Sequence, residues 1–225
     1  MTTDYYSDHL SANRLRRCYE IAPPRVRQYL DAEIAFVTAR LSASDRILEL
    51  GCGHGRVVKE LSNKARVVVG IDTSHSSLQL ARDYLSGLPD CRLARMNACS
   101  LGFADHTFNV TVCIQNGLSA FHVDRRTLIA ESVRVTRRGG RVLLSTYSEK
   151  FWPHRLEWFR LQAAQGLLGE IDEKATHDGV IVCKDGFSAY TITPGEFMAL
   201  TNGFPIADRQ IKEVDESSVF CEIIV

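Results

Sequence analysis

The feature that most constrains the fold is a run of alternate glycines placed directly after a short apolar segment. Residues 46–50 read Arg-Ile-Leu-Glu-Leu, and Gly51, Gly53 and Gly55 follow at every second position. Because glycine has no β-carbon, such a run lets the backbone turn sharply and approach a ligand closely. The sequence therefore predicts a β-strand that ends in a ligand-binding loop.

An acidic residue ends a second apolar run further along the chain. Residues 67–71 read Val-Val-Val-Gly-Ile, which predicts a buried strand, and Asp72 follows them directly. An acid at this place in a strand–helix–strand unit accepts hydrogen bonds from both hydroxyls of a ribose. The glycine loop and Asp72 together predict a site for a ligand that contains a ribose.

Strand-like and helical patterns alternate through the middle of the chain. The strand-like runs lie at 46–50, 67–71, 91–96, 110–114 and 141–147, and the helical patterns lie at 26–41, 78–85 and 127–136. Continuous apolar strands that alternate with helices of about a dozen residues indicate a parallel sheet with helices on both faces. We therefore predict an α/β fold with a doubly wound sheet.

The last third of the chain departs from this pattern. It shows a helical pattern at 149–169, strand-like runs at 180–183 and 187–190 around the turn Asp185-Gly186, and a helix at 195–201 behind Thr193 and Pro194. Two further strand-like runs, 206–214 and 218–225, follow each other with no helix between them, so they should pair antiparallel. The sheet is thus predicted to end in an antiparallel hairpin.

Composition narrows the partners of the chain. Its 27 basic and 27 acidic residues balance, and no basic tract is present, so we expect no nucleic-acid partner. No apolar run approaches the roughly 20 residues of a membrane helix, and the N-terminus lacks a secretion signal. The seven cysteines show no Cys-x-x-Cys spacing, which argues against a metal site and, with the missing signal, predicts a cytoplasmic location.

The glycine loop does not fit a dinucleotide. The dinucleotide pattern Gly-x-Gly-x-x-Gly needs glycine where this chain has Arg56. Glu49 precedes the loop, and its charge would repel a pyrophosphate but suit an ammonium or sulfonium. A solvated or helix-capping acid is the alternative for Glu49. A nicotinamide-dependent oxidoreductase and a non-catalytic binding protein on this fold stay open as alternative functions.

Three stretches together resemble the class I S-adenosylmethionine-dependent methyltransferase family, in its small-molecule branch. They are Glu49-x-Gly-x-Gly-x-Gly55, Gly70-Ile-Asp72 and the stretch Asn-Ala-Cys-Ser-Leu-Gly-Phe-Ala-Asp at 97–105. The resemblance runs from about residue 45 to 147. It implies a seven-stranded, mostly parallel Rossmann-like sheet that ends in an antiparallel hairpin. It also implies methyl transfer from S-adenosylmethionine to an oxygen or nitrogen of a small molecule.

The resemblance further implies which residues contact the cofactor. Glu49, Cys52 and the loop from Gly51 to Gly55 should face its methionine part. Ile114 and Gln115, at the end of the fourth strand, should lie near the ammonium and the transferred methyl.

The adenosine part should meet residues that follow the second and third strands. Asp72 should hold the ribose hydroxyls, with Thr73 beside the adenine. Asn97 and Ala98 should meet the adenine edge. The family usually has an acid at this edge, and asparagine keeps an acceptor oxygen but loses the charge.

No residue stands out as a dedicated catalyst, since methyl transfer from a sulfonium chiefly requires alignment of the nucleophile. His122 and Tyr147 are the candidate catalytic groups. An exposed or helix-capping histidine and a packed tyrosine are the respective alternatives. The candidate substrate contacts are Asn116, His122, Tyr147, Trp152 and Tyr190, although surface packing explains these aromatic residues as well. The pair Gln115-Asn116 lacks the acids that suit magnesium.

We expect a single domain in four parts. These are an N-terminal arm and helix at 1–44, a cofactor-binding core at 45–147, a lid insert at 148–192, and a terminal helix with a β-hairpin at 193–225. The oligomeric state and the methyl acceptor stay open.

Overall fold

The computed structural model describes residue 5 and the ranges 9–115, 117–121 and 123–225. Its strands are β1 (Arg46–Leu50), β2 (Val67–Asp72), β3 (Cys91–Arg95), β4 (Phe108–Cys113), β5 (Thr136–Tyr147), β6 (Val180–Val182), β7 (Ser188–Tyr190), β8 (Asp208–Val214) and β9 (Ser218–Ile224). Within these residues, seven strands form one sheet in the order β3-β2-β1-β4-β5-β9-β8, and β6 pairs with β7 in a separate hairpin.

The sheet confirms the predicted fold class. Strands β1 to β5 run parallel to one another, while β9 is antiparallel to both β5 and β8. Adjacent residues on a strand point to opposite faces, so Ile47 and Leu48 enter different hydrophobic clusters on the two sides of the sheet. Both faces are therefore covered, as a parallel sheet requires.

The helices lie between the strands as the sequence pattern predicts. They are α1 (Ala12–Glu20), α2 (Pro24–Thr38), α3 (Arg56–Ser62), α4 (His75–Tyr84), α5 (Gly117–Ala120), α6 (Arg125–Val135), α7 (Trp152–Ala164) and α8 (Pro194–Leu200). Ser74 and Thr193 are the N-caps of α4 and α8, where each side chain accepts a hydrogen bond from a backbone amide of its own helix. No helix of the described ranges is long and apolar enough to cross a membrane.

The segment after β5 forms a short 3-10 turn at Glu149–Phe151, then α7 and the β6–β7 hairpin. The helical pattern predicted to 169 ends at Ala164, because Gly166 adopts a positive φ of 65° and the Leu167 amide turns back to Gln162. This insert packs with the N-terminal arm and α2 in a third hydrophobic cluster.

Helix α1 lies across the molecule between the sheet and the insert. At one end, the Ala12 amide donates to Ser77 Oγ on α4 at 2.9 Å. At the other end, Trp158 Nε1 on α7 donates to the Cys18 carbonyl at 2.9 Å. The arm thus spans the carboxyl edge of the sheet.

Candidate functional site

A cavity of about 270 Å³ lies at the carboxyl ends of strands β1 to β4. Strand order reverses beside β1, which has β2 on one side and β4 on the other, and ligands of doubly wound sheets bind at such a point. The predicted cofactor residues that line the cavity are Glu49, Gly51, Cys52, Gly53, Asp72, Thr73, Asn97, Ala98, Ile114 and Gln115. The fold therefore brings ten of these residues together, from four segments of the chain.

Hydrogen bonds attach the glycine loop to the end of β2. The amides of Gly51 and Cys52 both donate to the Ile71 carbonyl, at 2.9 and 2.8 Å. The Gly53 amide donates to Asp72 Oδ2 at 2.9 Å. Gly51 and Gly53 adopt φ values of 74° and 52°, a region that glycine enters at little cost. The loop therefore lies along the cavity wall in one defined conformation.

Gly55 is the one predicted cofactor residue that does not line the cavity. It begins α3 as an N-cap with a φ of 87°, and a β-carbon there would come within 2.9 Å of Leu85. Its role in the structure is close packing between the loop and the end of α4.

Asp72 is held in place by two backbone amides. Its Oδ1 accepts from the Ser74 amide at 2.8 Å, and its Oδ2 accepts from the Gly53 amide. The carboxylate is half-buried on the cavity wall. Its position is thus determined before any ligand binds.

Glu49 places a buried carboxyl group on the same wall. Its side chain is only 4% exposed, and Oε2 has no hydrogen-bond partner among the described residues. The pKa of Glu49 is raised to about 8, chiefly because the carboxyl group is buried; Arg56 lowers this pKa and the charge of Asp72 raises it. A ligand cation would provide the missing partner and favour the ionised form.

Arg56 is a cavity residue that sequence reasoning considered only as a mismatch to a dinucleotide pattern. Its Nη2 donates to Gln115 Oε1, and its guanidinium lies 4.6 Å from the centre of the Tyr19 ring. Its Nε is buried without a hydrogen-bond partner in the described part of the chain. Glu49 and Arg56 therefore offer an unsatisfied acceptor and an unsatisfied donor of opposite charge, which suits the zwitterionic end of an amino acid.

Gln115 has a left-handed backbone conformation, with a φ of 57°. Its amide donates to Glu33 Oε2 at 2.8 Å, and its Nε2 donates to the Leu30 carbonyl at 2.9 Å. Glu33 is fully buried on α2, and burial raises its pKa to about 7. Such a backbone conformation persists only where its surroundings enforce it, so α2 holds the end of β4 in place.

His54 also lines the cavity, although it was predicted only as part of the loop. The pKa of His54 is lowered to about 4, chiefly by burial and also by the charges of Arg56 and Arg16, so the ring is neutral at pH 7. The ring lies 5.8 Å from that of Tyr19 and 5.9 Å from that of Tyr84.

None of the described residues that were predicted to contact the substrate lines the cavity. Asn116 and His122 fall outside the described residues. Tyr147 is buried between Tyr29 and Arg155 and does not line the cavity.

Trp152 and Tyr190 do not line the cavity either. Trp158 lies six positions after Trp152, so the two side chains are on different faces of α7. Tyr190 is 40% exposed on β7, whereas its neighbour Ala189 is buried. The residues of the arm and insert that complete the wall are Leu10, Leu15, Cys18, Tyr19, Trp158, Phe159 and Gln162. The sequence predicts a helix for the three insert residues of this group, but not which face of that helix meets the cavity.

Comparison with known proteins matches this geometry. Residues 47–140 match the model of a family described as a methyltransferase domain. By this similarity, residues 47–140 form a methyltransferase domain. S-adenosylmethionine is the cofactor of that family, and the matched segment contains the glycine loop and Asp72.

Two curated relatives are similar to part of the chain. Methyltransferase GfsG of Streptomyces halstedii is 30% identical over 146 residues, which cover 63% of the chain and 48% of GfsG. The O-methyltransferase resE of Aspergillus sclerotiorum is 34% identical over 116 residues, which cover 48% of the chain and 43% of resE. The chain spans about half the length of the curated relatives it matches.

A solved structure has the same fold. The S-adenosylmethionine-dependent methyltransferase from Methanosarcina mazei superposes with a TM-score of 0.60 at 24% identity. The match covers 84% of this chain and 95% of that protein. It supports the sheet order and the antiparallel end of the methyltransferase domain.

Substitution of Gly51 by alanine should weaken ligand binding through Phe121. The added β-carbon would overlap Phe121 Cζ, so the ring, which lines the cavity, must move. Gly87→Ala is the matched control, since Gly87 also has a positive φ but has no neighbouring atom within 4 Å. Both variants should lose about 1–2 kcal/mol of folding stability from backbone strain. In calorimetric titration, only Gly51→Ala should also lose affinity for S-adenosylhomocysteine, by roughly tenfold or more. Equal affinity in the two variants would contradict the contact.

The pKa of Glu49 makes binding depend on pH. Because the folded pKa is about 8, Glu49 retains its proton at pH 7, and a cationic ligand must displace it. Affinity for S-adenosylhomocysteine should therefore rise roughly three- to tenfold between pH 6.5 and 8, with release of a proton. Calorimetry in buffers of different ionisation enthalpy measures both quantities. Glu49→Gln should abolish the pH dependence, whereas a persistent dependence would assign it to another group such as Glu33.

The same shift affects folding stability with a definite sign. The unfolded chain loses the Glu49 proton near pH 4.5 and the folded chain near pH 8, so this group makes stability fall as pH rises between those values.

Proposed function

We propose that the protein transfers a methyl group from S-adenosylmethionine to an oxygen or nitrogen nucleophile of a small molecule. The observation that carries this proposal is the position of Glu49, Arg56 and Asp72 on one cavity wall, at the point where the strand order reverses. The family match supports methyl transfer over the nicotinamide-dependent alternative. Calorimetric titration with S-adenosylmethionine, S-adenosylhomocysteine and NADH tests the proposal, since the first two ligands should bind and NADH should not.

The cavity residues would contact three parts of the cofactor, which are the ribose, the adenine and the amino-acid end. Asp72 would accept hydrogen bonds from the ribose hydroxyls, and Thr73, Asn97 and Ala98 would lie beside the adenine. Glu49 would accept from the α-ammonium, and Arg56 would donate to the α-carboxylate. These two contacts would satisfy the Oε2 and Nε atoms that have no partner within the described chain.

The bound cofactor supplies a methyl group on a sulfonium, which is already activated for displacement. The protein's part is to align the nucleophile, exclude water and bind the cofactor. Helices α1 and α7 contribute cavity-lining residues that come from neither the strand ends nor the glycine loop, so they would exclude water and position the acceptor. We therefore propose the arm and the insert as the lid of a single domain with the four parts predicted above.

The relative resE is named an O-methyltransferase, which supports an oxygen nucleophile. The cytoplasmic location, the absence of a nucleic-acid partner and a catalytic role for His122 stay predictions. Tyr147 is not proposed as a catalytic residue, because its side chain is buried away from the cavity.

Loss of the Asp72 carboxylate should weaken cofactor binding. Asp72→Ala removes the acceptor of both ribose hydroxyls and should reduce the affinity for S-adenosylhomocysteine by about 1–3 kcal/mol. The exposed Asp83 on α4 provides the control variant Asp83→Ala. Thermal unfolding should accompany the titration, since Asp72 also binds the Gly53 amide. Unchanged affinity in a folded Asp72→Ala protein would remove Asp72 from the site.

The role of Arg56 can be separated from that of the adenosine contacts. Methylthioadenosine keeps the adenosine and the thioether but lacks the amino-acid end. Arg56→Gln should weaken S-adenosylhomocysteine about tenfold or more and leave methylthioadenosine within about twofold, since a hydrogen bond to a charged group contributes about 1.5–3 kcal/mol. The exposed Arg66 provides the control Arg66→Gln. Equal losses for the two ligands would show that Arg56 shapes the cavity and does not bind the carboxylate.

A further inference from the structure

Two contacts hold the Arg56 side chain in the cavity wall. Its Nη2 donates to Gln115 Oε1, and the Tyr19 ring lies 4.6 Å from its guanidinium. An arginine side chain that rotates freely loses conformational entropy when it binds a ligand. Contacts that fix the guanidinium before a ligand arrives reduce this loss and strengthen binding. The affinity that Arg56 provides therefore depends on how firmly Gln115 is held.

Helix α2 and strand β5 hold Gln115 in place. Its side-chain Nε2 donates to the Leu30 carbonyl at 2.9 Å. Because a carbonyl can only accept, this bond fixes the orientation of the side-chain amide, and the oxygen is left for Arg56. The backbone amide of Gln115 donates to Glu33 Oε2 at 2.8 Å and to Ser145 Oγ at 3.2 Å. A φ of 57° is strained for glutamine, so these bonds have to enforce it.

Glu33 is an unusual residue for the buried face of α2. Its side chain is fully buried, and burial raises its pKa to about 7 even though its hydrogen bonds lower it. An apolar residue of similar size would fill the same space without the cost of burying an acid. What the carboxyl group adds is an acceptor for the Gln115 amide, at the point where β4 ends in the cavity. The site therefore explains its presence better than the packing of α2 does.

We propose that Glu33 is a positioning residue for the cofactor. It fixes the backbone of Gln115, the Gln115 side chain fixes Arg56, and Arg56 binds the α-carboxylate of the cofactor. This assignment rests on the proposed function, which supplies the last of these contacts. A residue of α2 that does not itself line the cavity thus determines the affinity for the amino-acid end of the cofactor. The affinity for its adenosine part does not depend on Glu33.

The first test compares two replacements of Glu33 by calorimetric titration. Glu33→Leu removes an acceptor of the Gln115 amide and should weaken S-adenosylhomocysteine about tenfold, while methylthioadenosine stays within about threefold. Glu33→Gln keeps an oxygen that accepts the same bond, so both ligands should stay within about threefold of the unaltered protein. The exposed Asp31 on the same helix gives the control Asp31→Leu, which should change neither affinity. Equal losses of the two ligands in Glu33→Leu would contradict the proposal, since a general shift of α2 affects both.

A double-mutant cycle shows whether Glu33 acts through Arg56. Arg56→Gln removes the guanidinium, so no charged group remains for Gln115 to position. Adding Glu33→Leu to Arg56→Gln should therefore weaken S-adenosylhomocysteine by less than about twofold more. A further tenfold loss would show that the two residues act independently, and it would overturn the proposal.

A second variant tests the same link if Glu33→Leu does not fold. Gln115→Gly removes the side chain that bonds to Arg56, and glycine adopts a φ of 57° at little cost. This variant should weaken S-adenosylhomocysteine about tenfold and leave methylthioadenosine within about threefold. In the Arg56→Gln background it should cause less than about a twofold further loss. A larger loss there would show that Gln115 contacts the ligand itself and would overturn its place between Glu33 and Arg56.

The outcomes separate the role of Glu33 from the proposed function. Failure of S-adenosylhomocysteine to bind the unaltered protein would overturn the proposed function and the role of Glu33 with it. Tight binding to the unaltered protein, with the same affinity in Glu33→Leu, would overturn the role of Glu33 alone.

Discussion

The site depends on the hydrogen bonds that join the glycine loop to the end of β2. Three consecutive loop amides donate to two acceptors there, the Ile71 carbonyl and the Asp72 carboxylate. These bonds draw the loop against the neighbouring strand, so the carboxyl ends of β1 and β2 form one continuous wall. The same carboxylate is proposed to bind the ribose, and therefore the group that recognises the ligand also orders the loop beside it. Local structure and binding are coupled through one side chain.

Two buried carboxyl groups lie at or near the cavity wall, and they have different roles. Glu33 and Glu49 are both buried, and burial raises both pKa values, yet their surroundings differ. Glu33 accepts the Gln115 amide and holds the end of β4, while Glu49 has an oxygen that lacks a partner in the described structure. Folding tolerates such a group where a ligand completes its hydrogen bonds. The positive charge of Arg56 lowers the pKa of both carboxyl groups. Its guanidinium also donates to Gln115 Oε1, so the charge of the site and the end of β4 are linked through this side chain.

The arm and the insert lie outside the core of the domain and are bonded to each other. Trp158 joins α7 to the arm through the Cys18 carbonyl, and Arg14 adds bonds to the carbonyls of Gly166 and Leu167. Neither segment belongs to the part that matches the family model. The core thus contains the residues that we propose to contact the cofactor, and the arm and the insert complete the cavity wall from outside the core.

The sequence by itself determined the sheet class, the loop at the end of β1 and the acid at the end of β2. These features are local, because glycine spacing, strand patterning and caps such as Thr193 act over a few residues. Only the tertiary structure decided which side chains share the cavity. Glu33 meets Gln115 across 82 residues and Trp158 meets Cys18 across 140, and no local pattern encodes such distances. Tyr147, Trp152 and Tyr190 were chosen by residue type and position after a strand, but the packing of α7 turns Trp158 and Gln162 to the cavity instead. A helical pattern shows which residues share a face, whereas the neighbour that covers the face is determined by how the whole chain packs.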